Sequence, residues 1–217
     1  MPRDATATRE EIMVAGTRLF ARRGLHAVTV RELHDAAGQR NASALQYHFG
    51  SREGLLLAIV ERYQNPIDEA RAEWLARADD LGGYVEALVE PPAALLSTPA
   101  GRHYLQIINQ VVGDLGLRDS LLTEPPNAVR ALAAMAAEMD DVPTDERNAR
   151  VANVVVFVTA ALAHRARLVE ARRAVLDHDA WVADLVTSVI GALTARSDRP
   201  ARTVGSPRPR AGARPRS

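Results

Sequence analysis

Two histidine–aspartate pairs have the residue types and spacing that could hold a catalytic metal in this 217-residue sequence: His34-Asp35 and His178-Asp179. A phosphohydrolase built on such a pair needs further His and Asp ligands that converge from other helices. The pattern predicts His34 on a short helix and His178 in a loop beside a helix cap. A metal-dependent phosphohydrolase is therefore the weakest of the alternatives.

Other signatures of enzymes are missing from the sequence. The chain contains no cysteine, which excludes a thiolate metal site, a cysteine nucleophile and a disulfide framework. It also lacks an HExxH motif, a GxSxG motif and a glycine loop that could cradle a phosphate. We therefore expect a protein that is not an enzyme and that holds no cofactor.

Charge is partitioned along the chain although the formal net charge is zero. Residues 1–53 carry 8 arginines against 6 acidic residues, residues 54–196 carry 13 against 20, and residues 197–217 carry 6 against 1. A basic head on an acidic body is typical of a protein that meets a polyanion at one end only. The neutral total keeps a second class open, a helical ligand-binding or scaffold protein that does not bind DNA.

No segment of the sequence predicts export or membrane insertion. The N-terminus is polar and lacks the apolar run of a signal peptide. The longest apolar stretch, 154–163, is interrupted by Thr159 and is about half of what a bilayer-spanning helix requires. We expect a soluble, cytoplasmic protein that does not contact a membrane.

Capping residues followed by apolar positions at helical spacing predict an all-α fold with no strand. In the N-terminal part, a capping box of Thr8 and Glu11 predicts a first helix up to Gly24. Two short helices are predicted next, with caps at Thr29 (paired with Glu32) and Asn41, and a fourth helix is capped by Ser51.

The C-terminal part predicts a bundle of longer helices. New helices are expected to begin at Asn65-Pro66, Thr98-Pro99, Pro125-Pro126 and Thr144. Another helix is expected from Tyr84 to Val89, after a break at Gly82-Gly83 and before Pro91-Pro92. Asp179 is the expected cap of the last helix. The last two helices are apolar on more than one face, which predicts a two-helix dimerisation face.

Residues 29–49 fit a helix-turn-helix, two short helices joined by a tight turn and supported by a preceding amphipathic helix. In such a motif the second helix enters the major groove of DNA and the first crosses the backbone. Any helical protein offers two short helices near a glycine, so the pattern alone leaves the motif open.

Four segments between Thr8 and Tyr63 resemble the N-terminal DNA-binding domain of the TetR family of transcriptional regulators: IMVAGTRLFARRG, TVRELHDAAG, LQYHF and SREGLL, in this order and spacing. The resemblance implies a three-helix helix-turn-helix domain over 8–63 and an effector-binding and dimerisation domain over 64–196. Residues 1–7 are expected to be flexible and the Arg/Pro-rich residues 197–217 to be disordered. The turn before Leu45, QRNASA, is one residue longer than is usual in the family.

The resemblance also implies roles for individual residues. Thr29, Tyr47, His48 and Arg52 are expected to contact phosphates, with Tyr47 and His48 also packing the helix. Base reading is expected from the exposed side of the third helix, by Asn41, Ser43, Ala44 and Gln46. Arg40, in the turn, is expected near either the DNA backbone or a guanine edge.

Polar and aromatic residues in the apolar middle helices are candidates for an effector cavity: Trp74, His103, Tyr104, Asn109, Phe157 and His164. Their mixture favours a small apolar or aromatic effector. The sequence therefore predicts a homodimeric regulator, a repressor rather than an activator, that binds a palindromic operator in double-stranded DNA and is released by a small molecule.

Overall fold

The structure is a computed structural model and describes residues 5–38, 43–121 and 124–196. Within these ranges the chain is helical and contains no strand, so the all-α prediction is confirmed. The helices are α1 (Ala5–Arg23), α2 (Val30–Ala36), α3 (Ala44–Phe49), α4 (Arg52–Leu75), α5 (Leu81–Ala93), α6 (Pro99–Gly113), α7 (Leu115–Leu121), α8 (Pro126–Ala137), α9 (Thr144–Glu170) and α10 (His178–Thr194). A 3-10 turn, Ala94–Ser97, joins α5 to α6.

Side-chain caps that the sequence predicts begin three of these helices. At α2 the capping box forms in both directions, with Glu32 N donating to Thr29 Oγ1 and Thr29 N donating to the Glu32 carboxylate. Ser51 accepts from Gly54 N (2.9 Å) at α4, and Thr98 accepts from Gly101 N (3.0 Å) at α6. Each cap satisfies an amide that the helix itself leaves unpaired.

Two predicted starts near the N-terminus differ in the structure. α1 begins at Ala5, so Thr8 lies inside the first turns with a buried side chain and does not cap the helix. Residues 5–7 of the predicted flexible end are helical, and residues 1–4 lie outside the described residues. α3 begins at Ala44 after Ser43, while the predicted cap, Asn41, lies outside the described residues.

Two later starts are displaced because an aspartate earlier in the chain takes the cap. Asp80 accepts from Gly83 N (2.8 Å), so α5 begins at Leu81 and includes the two glycines expected to break it. Asp177 accepts from Ala180 N (2.8 Å), so the cap of α10 is Asp177 and not Asp179. The short helix α7 was not predicted.

Three prolines that were expected to bound helices lie inside them. α4 continues through Pro66, and α5 includes Pro91 and Pro92 in its last turn. A proline inside a helix costs about 3 kcal/mol, so burial on both sides must offset it. Ile59, Val60 and Ile67 of α4 are buried around Pro66, and Pro91 and Pro92 are themselves buried.

The buried apolar residues form two clusters. The first cluster joins α1, α2, α3 and α4 and includes Ile12, Phe20, Leu33, Leu45 and Leu55. It also includes Ile107 and Val111 of α6. The second joins α5, α6, α8, α9 and α10, and it takes in Ile67 of α4. The helices α4 and α6 therefore contribute to both clusters and set the position of the N-terminal helices.

Candidate nucleic-acid interface

α2 and α3 form the two short helices of the predicted motif, and α1 and α4 pack behind them. α2 is fixed by its buried residues Leu33 and His34, and α3 by Ala44 and Leu45. The connection between them includes residues 39–42, which contain Arg40 and Asn41 and lie outside the described residues.

The outer side of α3 is polar and open. Ser43 and Gln46 are exposed, and Tyr47 is 80% exposed with its ring edge against the ring of His48 (4.9 Å between centroids). His48 is half-buried. Because Tyr47 packs against little else, its predicted packing role is wrong, while its hydroxyl is accessible to a ligand.

Ala44 was expected to contact a base, and the structure contradicts this. Its side chain is only 9% exposed and belongs to the N-terminal core cluster. Ala44 and Leu45 lie on the inner side of a helix of six residues, so the surface left for a groove is that of Ser43, Gln46 and Tyr47.

Both hydrogen-bond donors of Thr29 are paired within the protein. Its amide and its hydroxyl both donate to Glu32 Oε2 (2.9 Å each). These two bonds, with a smaller effect of Arg23, hold the pKa of Glu32 below its usual range. A phosphate at Thr29 would have to displace the Glu32 carboxylate, so the predicted phosphate contact needs a rearrangement of the cap.

Arg52 supports the motif through contacts inside the protein. Its Nε donates to the carbonyl of Val28 (2.7 Å), its guanidinium lies over the ring of Phe20 (5.2 Å), and Nη1 donates to Glu53 (3.1 Å). The side chain is 18% exposed. Arg52 thus ties the start of α4 to the segment that precedes α2, and the predicted phosphate clamp would have to break these contacts.

Arg52→Ala is expected to lower the free energy of unfolding by about 1–3 kcal/mol, because the Val28 carbonyl loses a charged donor and Phe20 loses its covering cation. A phosphate-contacting arginine would instead reduce the salt slope of DNA binding by about one unit. We expect the slope to stay unchanged. Urea unfolding and duplex titrations at several salt concentrations measure the two quantities.

Arg31→Ala is the matched control for stability, because the Arg31 side chain is 91% exposed and only faces Asp35 at 3.8 Å. Its stability should change by less than about 0.5 kcal/mol. A normal stability of Arg52→Ala combined with a shallower salt slope would restore the phosphate role to Arg52.

Two exposed arginines beside the motif were missed from the sequence. Arg31 lies on the open side of α2, and Arg9 of α1 lies over the ring of Phe49 at the end of α3 (5.1 Å). Arg9 lies in the first turns of α1. Both could face a phosphate without leaving a buried partner.

The six predicted effector residues do not come together in one cavity. Tyr104 is buried and stacks on Tyr63 (4.7 Å between centroids), and burial raises its pKa. His103 is buried beside Glu170, Trp74 is half-buried under the guanidinium of Arg77, and Asn109 is half-buried. Phe157 and His164 are exposed on the outer side of α9, so they do not line a cavity inside this chain.

Two grooves are open on the surface of the described ranges. One of about 520 Å³ lies between α1 and α4 and is lined by Arg9, Met13 and Arg62 among others. The other, of about 340 Å³, lies between α5 and α10 and is lined by Glu86, Glu90 and His178 among others. None of the six predicted effector residues lines either groove.

The histidine–aspartate pairs do not form a metal centre in the described part of the chain. No group of three or more His, Cys, Asp or Glu residues in those ranges could hold a metal ion. His34 is buried in α2, and His178 opens α10.

Residues 12–59 match the family described as bacterial regulatory proteins, tetR family. The chain is 32% identical over 87 residues to the HTH-type transcriptional repressor AcnR of Corynebacterium glutamicum, which covers 40% of this chain and 43% of that protein. It is 37% identical over 81 residues to the HTH-type transcriptional repressor KstR2 of Rhodococcus jostii, covering 37% and 39%. The matched segments thus span about two fifths of these relatives.

The fold extends the likeness to most of the chain. The solved structure of the probable transcriptional regulatory protein RHA5900 matches with a TM-score of 0.59 and 21% identity, over 87% of this chain and 100% of that one. At this identity the match shows a shared fold.

Proposed function

Residues 12–59 of this chain belong to the tetR family of bacterial regulatory proteins, and on this premise we propose that the chain is a cytoplasmic, homodimeric transcriptional repressor that binds an operator in double-stranded DNA. The observation that carries the proposal is α3, a short helix whose buried side holds Ala44 and Leu45 while Ser43, Gln46 and Tyr47 are open. A helix seated in this way can lie in a major groove and present polar side chains to base edges.

A second copy of the chain is the partner that fits the outer side of α9 and α10. Val156 is 52% exposed and Phe157 is 40% exposed on α9, and small residues are exposed on α10: Ala183, Thr187 and Gly191. By length and composition α9 could cross a membrane, yet a lone helix of this kind is weak support for a membrane protein. Only 33% of the apolar window of α9 is buried within the chain. A helix bundle between two copies would cover the exposed remainder.

Dimerisation sets the distance between the two α3 helices, on which DNA binding depends. The two α3 helices enter successive major grooves when they lie about 34–36 Å apart. A small apolar or aromatic effector that binds better to a dimer with another spacing would release the DNA. A coupling of about 1–3 kcal/mol corresponds to roughly 5- to 150-fold release. The sign of regulation follows the relatives AcnR and KstR2, which are named repressors.

Selection of bound duplexes from random DNA tests the proposal. We expect a near-palindromic site, because a two-fold symmetric dimer reads two equal half-sites. Binding to the selected duplex should weaken steeply and linearly on a log–log plot as salt rises. Equal binding of all duplexes at low salt would overturn the proposal in favour of a helical ligand-binding or scaffold protein.

Gln46→Ala is expected to relax the preference at particular base pairs of each half-site by about 1–3 kcal/mol, since an amide can bond an adenine edge with two hydrogen bonds. Gln46 is exposed, so the unfolding midpoint should not move. Competition titrations with single-base variants of the selected duplex measure the effect. An unchanged preference at every position would remove Gln46 from the reading surface.

A further inference from the structure

The helix α6 connects α1 to α9 through a row of polar contacts. The amide of Leu25, just after α1, donates to Gln110 Oε1 (3.1 Å). Gln110 Nε2 donates to the carbonyl of Gln106 (3.1 Å), and Gln106 Nε2 donates to Glu170 Oε2 at the end of α9 (3.3 Å). One carboxylate is thus linked through α6 to the segment that carries α2 and α3.

Two buried nitrogens beside Glu170 lack a hydrogen-bond partner in the described part of the chain. His103 Nε2 lies 3.3 Å from Glu170 Oε1, and Arg102 Nε lies 3.9 Å from the same oxygen. Neither forms a hydrogen bond, although both atoms are buried and His103 is 9% exposed. A buried polar group without a partner is unfavourable, so another acceptor at this point would be stabilised.

Cations outnumber anions around these nitrogens. Arg18 and Arg22 of α1 are exposed, and their side chains form no ion pair within the described ranges. Burial lowers the pKa of His103, and the charges of Arg22, Arg102 and Arg18 lower it further, against the opposing effect of Glu170. Arg18 and Arg22 lie on α1, which packs against α6, and their charges act on His103 together with those of Arg102 and Glu170. We name this meeting point of α1, α6 and α9 the α6 junction.

We propose that the α6 junction, formed by Arg18, Arg22, Arg102 and His103, binds a small anion that carries at least two carboxylate or phosphate groups. One charged group of the ligand reaches His103 Nε2 and Arg102 Nε, and the other meets Arg18 and Arg22 at the surface. Such an anion ties α1 to α6 and shifts the affinity for operator DNA, a consequence that rests on the proposed function.

Titration of the histidine ring resonances of the full chain by NMR tests the site without DNA. The probes are pyrophosphate and malonate, compared with chloride at equal ionic strength. We expect the pKa of His103 to rise with one of them, because a nearby anion favours the imidazolium form. The exposed His164 is the internal reference, His103→Gln assigns the resonance, and binding should strengthen as the pH falls through the pKa of His103.

Arg22→Ala should weaken the binding of the better probe at least about tenfold, since a charge-assisted hydrogen bond is lost. Arg118→Ala is the matched control, because Arg118 is an exposed arginine on α7, outside the α6 junction. The better probe tells whether phosphate or carboxylate groups are preferred. The site is overturned if neither probe moves the His103 titration, or if Arg118→Ala weakens binding as much as Arg22→Ala.

Operator affinity measured with and without the better probe then tests the coupling. We expect the probe to change the affinity of the wild-type chain at constant ionic strength and to leave that of Arg22→Ala unchanged. Anion binding without any change in operator affinity would overturn the coupling and leave the site standing. Anion binding by a chain that selects no DNA sequence would overturn the proposed function alone.

Discussion

Asp68→Ala is expected to lower the free energy of unfolding by about 3–5 kcal/mol, because it removes one partner of a buried ion pair. Asp68 is 8% exposed on α4, and its Oδ1 accepts from Arg71 Nη1 (2.8 Å). The same carboxylate accepts from the amides of Asn127 (3.1 Å) and Ala128 (3.0 Å) in the first turn of α8. α8 follows Pro125, which offers no side-chain cap, so Asp68 caps it from another helix.

The larger part of the loss comes from Arg71. Its side chain is 7% exposed, and its Nε donates to the carbonyl of Ala87 (3.1 Å). Burial lowers the pKa of Arg71, and the hydrogen bond and charge of Asp68 oppose this, with a smaller effect of Tyr104. Without Asp68 the guanidinium is a buried cation with no counter-ion, so the second core cluster is destabilised where α4, α5 and α8 meet.

Two variants separate these contributions in urea unfolding. Asp68→Ala combined with Arg71→Leu should be more stable than Asp68→Ala alone, because the unpaired cation is removed as well. Asp80→Ala deletes an ordinary cap at the exposed start of α5 and should cost about 1 kcal/mol. If Asp68→Ala lowers the free energy of unfolding no more than Asp80→Ala does, the ion pair of Asp68 and Arg71 is not a main source of stability in this cluster.

The elements predicted correctly are those whose signals are local. Thr29 with Glu32, Ser51 and Thr98 cap helices within three residues of themselves, and all three caps form. Some of the errors arise where distant packing decides. Pro66 was expected to start a helix, but α4 passes through it because residues on both sides are buried.

The candidate site shows the same difference between local signals and contacts that are distant in the sequence. The open side of α3 at Gln46 could be predicted from a short amphipathic pattern, whereas the partner of Arg52 is the carbonyl of Val28, 24 residues earlier in the chain. Phe157 was assigned to an internal cavity because periodicity shows that a helix face is apolar but not which molecule covers it. Its exposure on α9 fits an intermolecular face better.

Gly54→Ala is expected to abolish most sequence-specific DNA binding, with a loss of more than tenfold in affinity, and to destabilise the chain by about 2–3 kcal/mol. Gly54 lies in the first turn of α4, and a Cβ atom there would overlap the carbonyl oxygen of Phe49 and lie 3.1 Å from its carbonyl carbon. Both are backbone atoms of the last residue of α3, so no side-chain rotation relieves the overlap. The whole of α3 must move away from α4.

Gly113→Ala is the matched control, because Gly113 is also helical and a Cβ atom there meets nothing within 4 Å. This variant should keep its DNA affinity and become about 0.5–1 kcal/mol more stable, as expected from the lower entropy of alanine in a helix. Operator titration and urea unfolding of both variants measure the difference. Since the proposed reading surface exists only while Ala44 and Leu45 hold α3 in place, wild-type affinity in Gly54→Ala would mean that DNA recognition does not depend on this seating of α3.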